Sequence, residues 1–203
     1  MNQKTQGSLF DLSRWSKLAQ LGSFNAISGL SEMVHQEVKI NGVQLDEVSV
    51  RNAVSLLGKP EDMNVGIYLL FSGNTSGQIL LAFRPEIAFE LVDMVMGNPA
   101  NTTVELGEME RSVLGEMGNI VGTFFLNALA NQANTCLAPS PPAVVMDMSA
   151  SLMDSVMTRA LSESESVWVI KLSFSTGERE LHGQFLVLPV IENKQGDDNN
   201  GEE

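Results

Sequence analysis

Five polar residues recur at steps of three or four along one amphipathic segment of this sequence. They are Ser112, Glu116, Asn119, Thr123 and Asn127. Such steps place side chains on one face of an α-helix, so the carboxylate of Glu116 and the carboxamide of Asn119 project together. A carboxylate accepts hydrogen bonds or a salt bridge, and a carboxamide both donates and accepts. The pair could therefore orient a water molecule without a metal, although a polar stripe is also typical of the wet face of an ordinary helix.

The segments around this stripe alternate between helical and strand patterns. Apolar residues at helical spacing predict helices over about 9–38, 85–96 and 106–131, and residues 149–161 predict a short helix or loop. Strand-forming runs bounded by turn residues predict strands at about 43–54, 65–72, 77–83, 143–148, 167–175 and 182–190. The sequence therefore predicts a mixed α and β protein with hairpins.

A weak internal repeat organises these elements. A shift of 96 positions places Ser16 on Ser112 and Gly22 on Gly118, and a shift of 106 places Gly77 on Gly183. We therefore expect an α+β fold of two similar halves, about 9–98 and 99–191, related by a pseudo-twofold axis. The halves would join in one six-stranded, mostly antiparallel sheet with two long helices packed across it. A flexible N-terminus, 1–8, would precede this single domain, and an acidic disordered tail, 192–203, would follow it.

Composition excludes several classes of function. The 25 acidic residues against 12 Lys and Arg give a formal charge of −13, which argues against nucleic-acid binding. Cys136 is the single cysteine, and the two histidines, His35 and His182, lie far apart, so neither a disulfide framework nor a metal site is expected. Because no apolar run approaches the ~18 residues of a spanning helix, we expect no membrane insertion and a reducing cytoplasm.

Two kinds of sulfur-containing side chain need an assignment. Cys136 is expected to be a small, buried or half-buried apolar residue, since no basic residue lies beside it in the sequence. Met146, Met148, Met153 and Met157 are expected to pack, although methionine clusters also suit adaptable protein surfaces.

The run 109–120 (MERSVLGEMGNI) resembles the signature helix of the CheC-type chemotaxis phosphatases, a fold shared by CheC, CheX and FliY. The pattern of that family is Asp or Ser, three residues, Glu, two residues, Asn, about twenty-one residues and Pro. Ser112, Glu116 and Asn119 fit it, and Pro141 follows after twenty-one residues, with Pro142 as the one-residue alternative. The resemblance extends over roughly 12–190.

The resemblance implies dephosphorylation of a phosphorylated CheY-type response regulator. Asn119 would orient the attacking water, and Glu116 would pair with a cationic side chain of the regulator. Ser112, Thr123 and Pro141 would contact the same partner. The resemblance implies no cofactor of the chain's own, because the regulator would supply Mg²⁺. Positioning of the attacking water can by itself supply much of the acceleration for hydrolysis of an acyl phosphate.

Two alternatives to this reading stay open. One is a non-enzymatic adaptor on the same fold, which would bind a CheD-like receptor deamidase or the flagellar switch. The other is a phosphatase that needs that deamidase for full activity.

The first half departs from the family pattern. Its equivalents of Ser112, Glu116 and Asn119 are Ser16, Gln20 and Ser23. Gln20 carries no charge, and the Ser23 side chain is too short to reach into a partner. The sequence therefore predicts one intact site, in the second half, and a degenerate first site retained as scaffold.

Overall fold

Helices cover both faces of one antiparallel sheet in the computed structural model of the chain, which describes residues 12–160, 166–176 and 179–189. The helices are α1 (Leu12–Val34), α2 (Pro85–Met96), α3 (Glu108–Ala133) and α4 (Ser149–Ala160), with a 3₁₀ segment at Val50–Leu57. The strands are β1 (Val38–Ser49), β2 (Met63–Gly73), β3 (Gly77–Phe83), β4 (Leu137–Pro139), β5 (Ala143–Met148), β6 (Ser166–Thr176) and β7 (Arg179–Pro189). The predicted flexible N-terminus, 1–8, and acidic tail, 192–203, lie outside the described residues.

The strand order reads β1-β6-β7-β3-β2-β4, and β5 also pairs with β2. The first strand of each half thus pairs with the hairpin of the other half, while β3 and β7 meet in the middle. There Leu80 pairs with Leu186, and their separation of 106 positions equals the shift of the sequence repeat. Two similar halves related by a twofold axis would give this order. The predicted α+β fold is confirmed.

The predicted count of six strands is wrong by one, because the edge strand is divided. β4 pairs with the C-terminal end of β2, and β5 pairs with its N-terminal part, so both occupy one position in the sheet. Pro141 and Pro142, between them, have no N–H with which to continue the ladder. The described sheet therefore has seven strands in six positions.

The first strand begins five residues earlier than its predicted start at 43. Asn41 and Gly42 carry a turn signal, but β1 runs through them with a shift of register between Ile40 and Gly42. β1 pairs with β6 from Val38 to Ser49, and this long-range pairing overrides the local signal. Residues 50–57 form the 3₁₀ segment instead of the end of a strand.

Two hydrophobic cores flank the sheet. The larger one lies under α1, α2 and α3, and the smaller one lies under α4 and the 3₁₀ segment. Strand β3, with the sequence GQILLAF, is buried at all seven positions because both of its faces are covered. The helix α3 thus rests on the larger core, on the same face of the sheet as α1.

The apolar composition of α3 follows from this packing. By length and composition it could cross a membrane, but half of its most apolar stretch is buried inside the protein. A Cβ placed at Gly118 would lie 2.4 Å from Ile67 Cγ2, and one at Gly122 would lie 3.0 Å from Leu69 Cδ2. Glycine therefore lets α3 approach β2 closely.

Exchange of two glycines in α3 tests this close approach. Gly118→Ala should lower the free energy of unfolding, because overpacking costs about 1–3 kcal/mol and outweighs the ~1 kcal/mol gain in helix propensity. Gly115→Ala is the matched control, since its nearest neighbour would be an ordinary contact at 3.7 Å. That variant should be as stable as the parent or more stable. Denaturant unfolding measures both, and equal stability of the two variants would contradict the packing described here.

Candidate functional site

The packing of α3 decides which of its side chains reach the surface. Gly118 and Gly122 face β2, while Ile120 and Phe124 lie against α1, where a Cβ on Gly29 would come within 3.0–3.1 Å of them. The face that remains carries the predicted polar stripe. Ser112, Glu116 and Asn127 are exposed, and Asn119 and Thr123 are half-buried. The structure thus brings the five predicted residues together on one open face of the helix.

The proline corner between β4 and β5 borders this stripe. A Cβ on Gly115 would lie 3.7 Å from Pro142 Cγ and 3.8 Å from Val144 Cγ2. Gly115 immediately precedes Glu116, so the corner lies beside the first turns of the stripe. Pro142, the one-residue alternative, makes this contact, and Pro141 is exposed.

Hydrogen bonds fix the corner to β2. The Ser140 N–H donates to the Leu70 carbonyl oxygen at 2.7 Å, and the Leu70 N–H donates to Ser140 Oγ at 3.0 Å. The Ser140 hydroxyl in turn donates to the Pro141 carbonyl oxygen at 3.0 Å. The guanidinium of Arg111 on α3 donates to the Val144 carbonyl oxygen at 3.0 Å. Helix and corner are therefore held together as one surface.

Buried carboxylate and carboxamide groups elsewhere in the chain have clear structural partners. The Asp93 carboxylate accepts hydrogen bonds from the Thr102 N–H at 2.9 Å and from the Thr103 N–H and hydroxyl at 3.0 and 2.7 Å. Burial alone would raise the pKa of Asp93, but these hydrogen bonds outweigh burial and lower it. The Asn64 carboxamide donates to Ser149 Oγ at 2.8 Å and to the Leu57 carbonyl oxygen at 3.2 Å.

Glu116 and Asn119 contrast with these structural groups. Within the described ranges, their side chains make no hydrogen bond or ion pair with the rest of the chain. Their donors and acceptors are thus free for water or for another molecule. Among the described residues no three His, Cys, Asp or Glu side chains form a group that could hold a metal ion.

The first half presents a different surface. Gln20 is exposed, but Ser23 is fully buried and its Oγ has no partner among the described residues. Ser16 lies in α1, with its side chain outside the described part. A Cβ on Gly22 would come within 2.6 Å of the Phe125 ring, so this side of α1 is pressed against α3. Gln20 and Ser23 therefore do not share an exposed face, and an Asn in place of Ser23 would start from a buried position.

Three predictions about sulfur-containing residues are wrong. Cys136 is exposed, because it follows the end of α3 and precedes the edge strand β4. Met146 and Met148 are exposed at 37% and 44%, whereas Met153 and Met157 are buried under the sheet as expected. Met146 and Met148 lie two residues apart on the edge strand β5, whereas Met153 and Met157 lie four residues apart on one face of α4, which packs on the smaller core.

A model of the CheC-like family matches residues 109–146. The chain is 23% identical to the CheY-P phosphatase CheC of Bacillus subtilis over 177 residues, which is 85% of each protein. The chain is thus similar in sequence to CheC-like proteins. The matched segment runs from the start of α3 to β5 and contains Glu116, Asn119 and Pro141.

Solved structures show the same fold at low sequence identity. Thermotoga maritima FliY is similar with a TM-score of 0.66, 15% identity and 87% of each chain covered. CheX of Borrelia burgdorferi, solved in complex with CheY, BeF₃ and Mg²⁺, is similar with a TM-score of 0.55 and 16% identity. That comparison covers 85% of this chain and 98% of the other. The predicted CheC, CheX and FliY fold is thereby confirmed.

Three substitutions in α1 test the closed state of the first half. Ser23→Ala removes a buried hydroxyl without a partner and should raise the free energy of unfolding by about 1 kcal/mol. Ser23→Asn inserts a larger polar group there and should lower that free energy by about 1–3 kcal/mol. Gln20→Ala, at an exposed position, should stay within ~0.5 kcal/mol of the parent. Denaturant titration gives all three values.

Substitutions at Gln20 and Ser23 also test whether α1 serves only as scaffold or contributes to a site. The double variant Gln20→Ala with Ser23→Ala should retain any phosphate-releasing activity that the parent shows. Parental stability of Ser23→Asn, or a large loss of turnover in the double variant, would show that α1 contributes a working surface.

Proposed function

We propose that this CheC-like protein dephosphorylates a phosphorylated CheY-type response regulator through the polar stripe of α3. One observation carries the proposal: Glu116 and Asn119 project from an open face with their hydrogen-bonding groups uncommitted within the described structure. Two relatives support the class of substrate. The Bacillus subtilis protein is named a CheY-P phosphatase, and the CheX structure is a complex with CheY.

Asn119 is the water-positioning group in this proposal. Asn119 is half-buried, and the next residue, Ile120, packs against α1. This contact fixes the rotation of α3 and therefore the direction in which the carboxamide projects. A carboxamide donates and accepts at once, and it can therefore bind the attacking water and a phosphoryl oxygen. Holding water in line with an acyl phosphate lowers the entropic part of the barrier.

Glu116 recognises the regulator. It is exposed one turn before Asn119, and no cation of the described chain pairs with it. A Lys or Arg side chain beside the phosphoryl group of the regulator would complete the pair and orient the approach. Ser112, Thr123 and Pro141 border the same surface, and Mg²⁺ comes with the regulator. This assignment places the protein in the cytoplasm.

A non-enzymatic adaptor on the same fold is the alternative. The buried first site favours it in one respect, because the chain then carries at most one working stripe. An adaptor would bind the regulator, a CheD-like deamidase or the flagellar switch without releasing phosphate.

Replacement of Asn119 tests the catalytic assignment. Asn119→Ala should reduce phosphate release from the phosphorylated regulator by about a hundredfold or more, the loss expected for a main positioning group. The fold should stay intact, because the Asn119 side chain has no partner to lose. Asn131→Ala is the matched control, since it removes an exposed carboxamide three turns further along α3. Equal rates for Asn119→Ala and the parent would refute the assignment, and absence of release by the parent itself would favour the adaptor.

Charge reversal at Glu116 tests the recognition step. Glu116→Lys should raise the KM for the phosphorylated regulator more than Glu116→Gln does. The lysine repels the cation of the regulator, whereas the glutamine only loses the attraction to it. The difference should shrink as salt is raised, since an exposed ion pair is screened. Steady-state kinetics at two ionic strengths measure this effect. An unchanged KM in the lysine variant would remove Glu116 from the interface.

A further inference from the structure

Three methionines lie together at the β5 edge of the sheet, on the face that α1, α2 and α3 cover. In the pairing of β2 with β5, Met63 stands opposite Met148, Val65 opposite Met146, and Ile67 opposite Val144. Alternate residues share a face, so all six side chains point to the same side of the sheet. Val65 and Ile67 are fully buried, whereas Met63, Met146 and Met148 are 39%, 37% and 44% exposed. An apolar surface therefore continues outward from the core.

This surface adjoins the polar stripe. Gly118 lies over Ile67 and Gly122 over Leu69, so α3 advances four residues for every two of β2. The two lengths match, because four residues of a helix rise by about 6 Å and two residues of a strand by about 6.6 Å. The pairs Val65–Met146 and Met63–Met148 are therefore level with the beginning of α3, about one and two turns before Gly118.

A fourth methionine extends the stripe itself. Met109 is 62% exposed, and it precedes Ser112 by three residues and Glu116 by seven. This spacing places it on the same face of the helix. We name the surface formed by Met63, Met146 and Met148 the methionine shelf; Met109 belongs to the stripe.

The area of the stripe is too small for a specific complex. A stable interface needs about 800 Å² and 20–30 residues from each partner, whereas the stripe supplies five side chains of one helix. Ile120 and Phe124 face α1, so the stripe is turned away from α1 and towards the proline corner and β5. A partner seated on Glu116 and Asn119 must therefore extend over the corner and the shelf. Methionine side chains adapt to irregular apolar surfaces and suit such a contact.

The edge itself is poorly suited to pairing with a second copy of the chain. β5 has only six residues, it is preceded by two prolines, and it carries Asp147. Short strands, proline and charge are the features that discourage extension of a sheet at its edge. The geometry favours a partner that lies over the face of the shelf rather than one that continues the sheet.

We propose that the methionine shelf is the apolar docking surface for the same phosphorylated response regulator whose phosphoryl group the stripe receives. This inference rests on the proposed function. The regulator would contribute apolar side chains beside its phosphorylation pocket, and the shelf would set affinity while Asn119 sets the rate of the chemical step.

The test separates affinity from turnover. The double variant Met146→Ser with Met148→Ser is compared with Val145→Ser, which exchanges a 39% exposed apolar residue of the same strand on the opposite face of the sheet. The substrate is the chemotaxis response regulator of the same genome, phosphorylated with acetyl phosphate. The double variant should raise KM about tenfold and leave kcat at saturation unchanged. Val145→Ser should keep the parental KM.

Four outcomes distinguish the possibilities. A parental KM in the double variant, together with an inactive Asn119→Ala, overturns the shelf and leaves the proposed function standing. A parent that releases no phosphate overturns the function. The shelf then survives only if the beryllofluoride-loaded regulator binds the parent and Val145→Ser more tightly than the double variant in calorimetry. A parent that is a dimer by light scattering, with a monomeric double variant, assigns the shelf to a second copy and overturns the proposal.

Discussion

The close approach of α3 to β2 is the contact on which the rest of the surface depends. Gly118 and Gly122 lie directly over Ile67 and Leu69, where any side chain would meet the core. With this contact fixed, Ile120 and Phe124 turn towards α1, and the stripe of Ser112, Glu116 and Asn119 turns to solvent. A rotation of the helix by one residue would move the stripe by about 100° and bury part of it. The exposure of the polar stripe thus depends on glycine at positions 118 and 122.

The helices α1 and α3, which the sequence repeat relates, differ in how they pack at this point. In α1, Gly22 leaves room for the Phe125 ring, so this side of the helix faces α3. Ser23, the equivalent of Asn119, is buried there. The half that keeps its stripe open also carries the proline corner, which Ser140 binds to β2 and which Arg111 connects to α3. The second half therefore keeps an exposed polar stripe, whereas the first half buries Ser23.

Much of this arrangement could be predicted from short-range signals. The helix α2 begins at Pro85 and ends before Gly97, whose φ of 68° is left-handed, and both ends agree with the prediction. The edge strand β5 also has its predicted ends. What the sequence could not predict depends on long-range contacts. Pairing with β6 carries β1 through the turn signal at Asn41 and Gly42, and the position of Met146 and Met148 on the edge strand β5 leaves them exposed. The burial of Ser23 follows from the rotation of α1 against Phe125, which no local pattern encodes.

The proposed function requires that the polar stripe of α3 removes the phosphoryl group from a CheY-type regulator, and that one protein molecule does so repeatedly. The most direct measurement follows the aspartyl phosphate on an excess of phosphorylated regulator after a small amount of the full-length protein is added. Phosphate should be lost from many regulator molecules per molecule of protein, at a rate proportional to the amount of protein added. Decay at the regulator's own intrinsic rate, independent of the added protein, would contradict the proposed function.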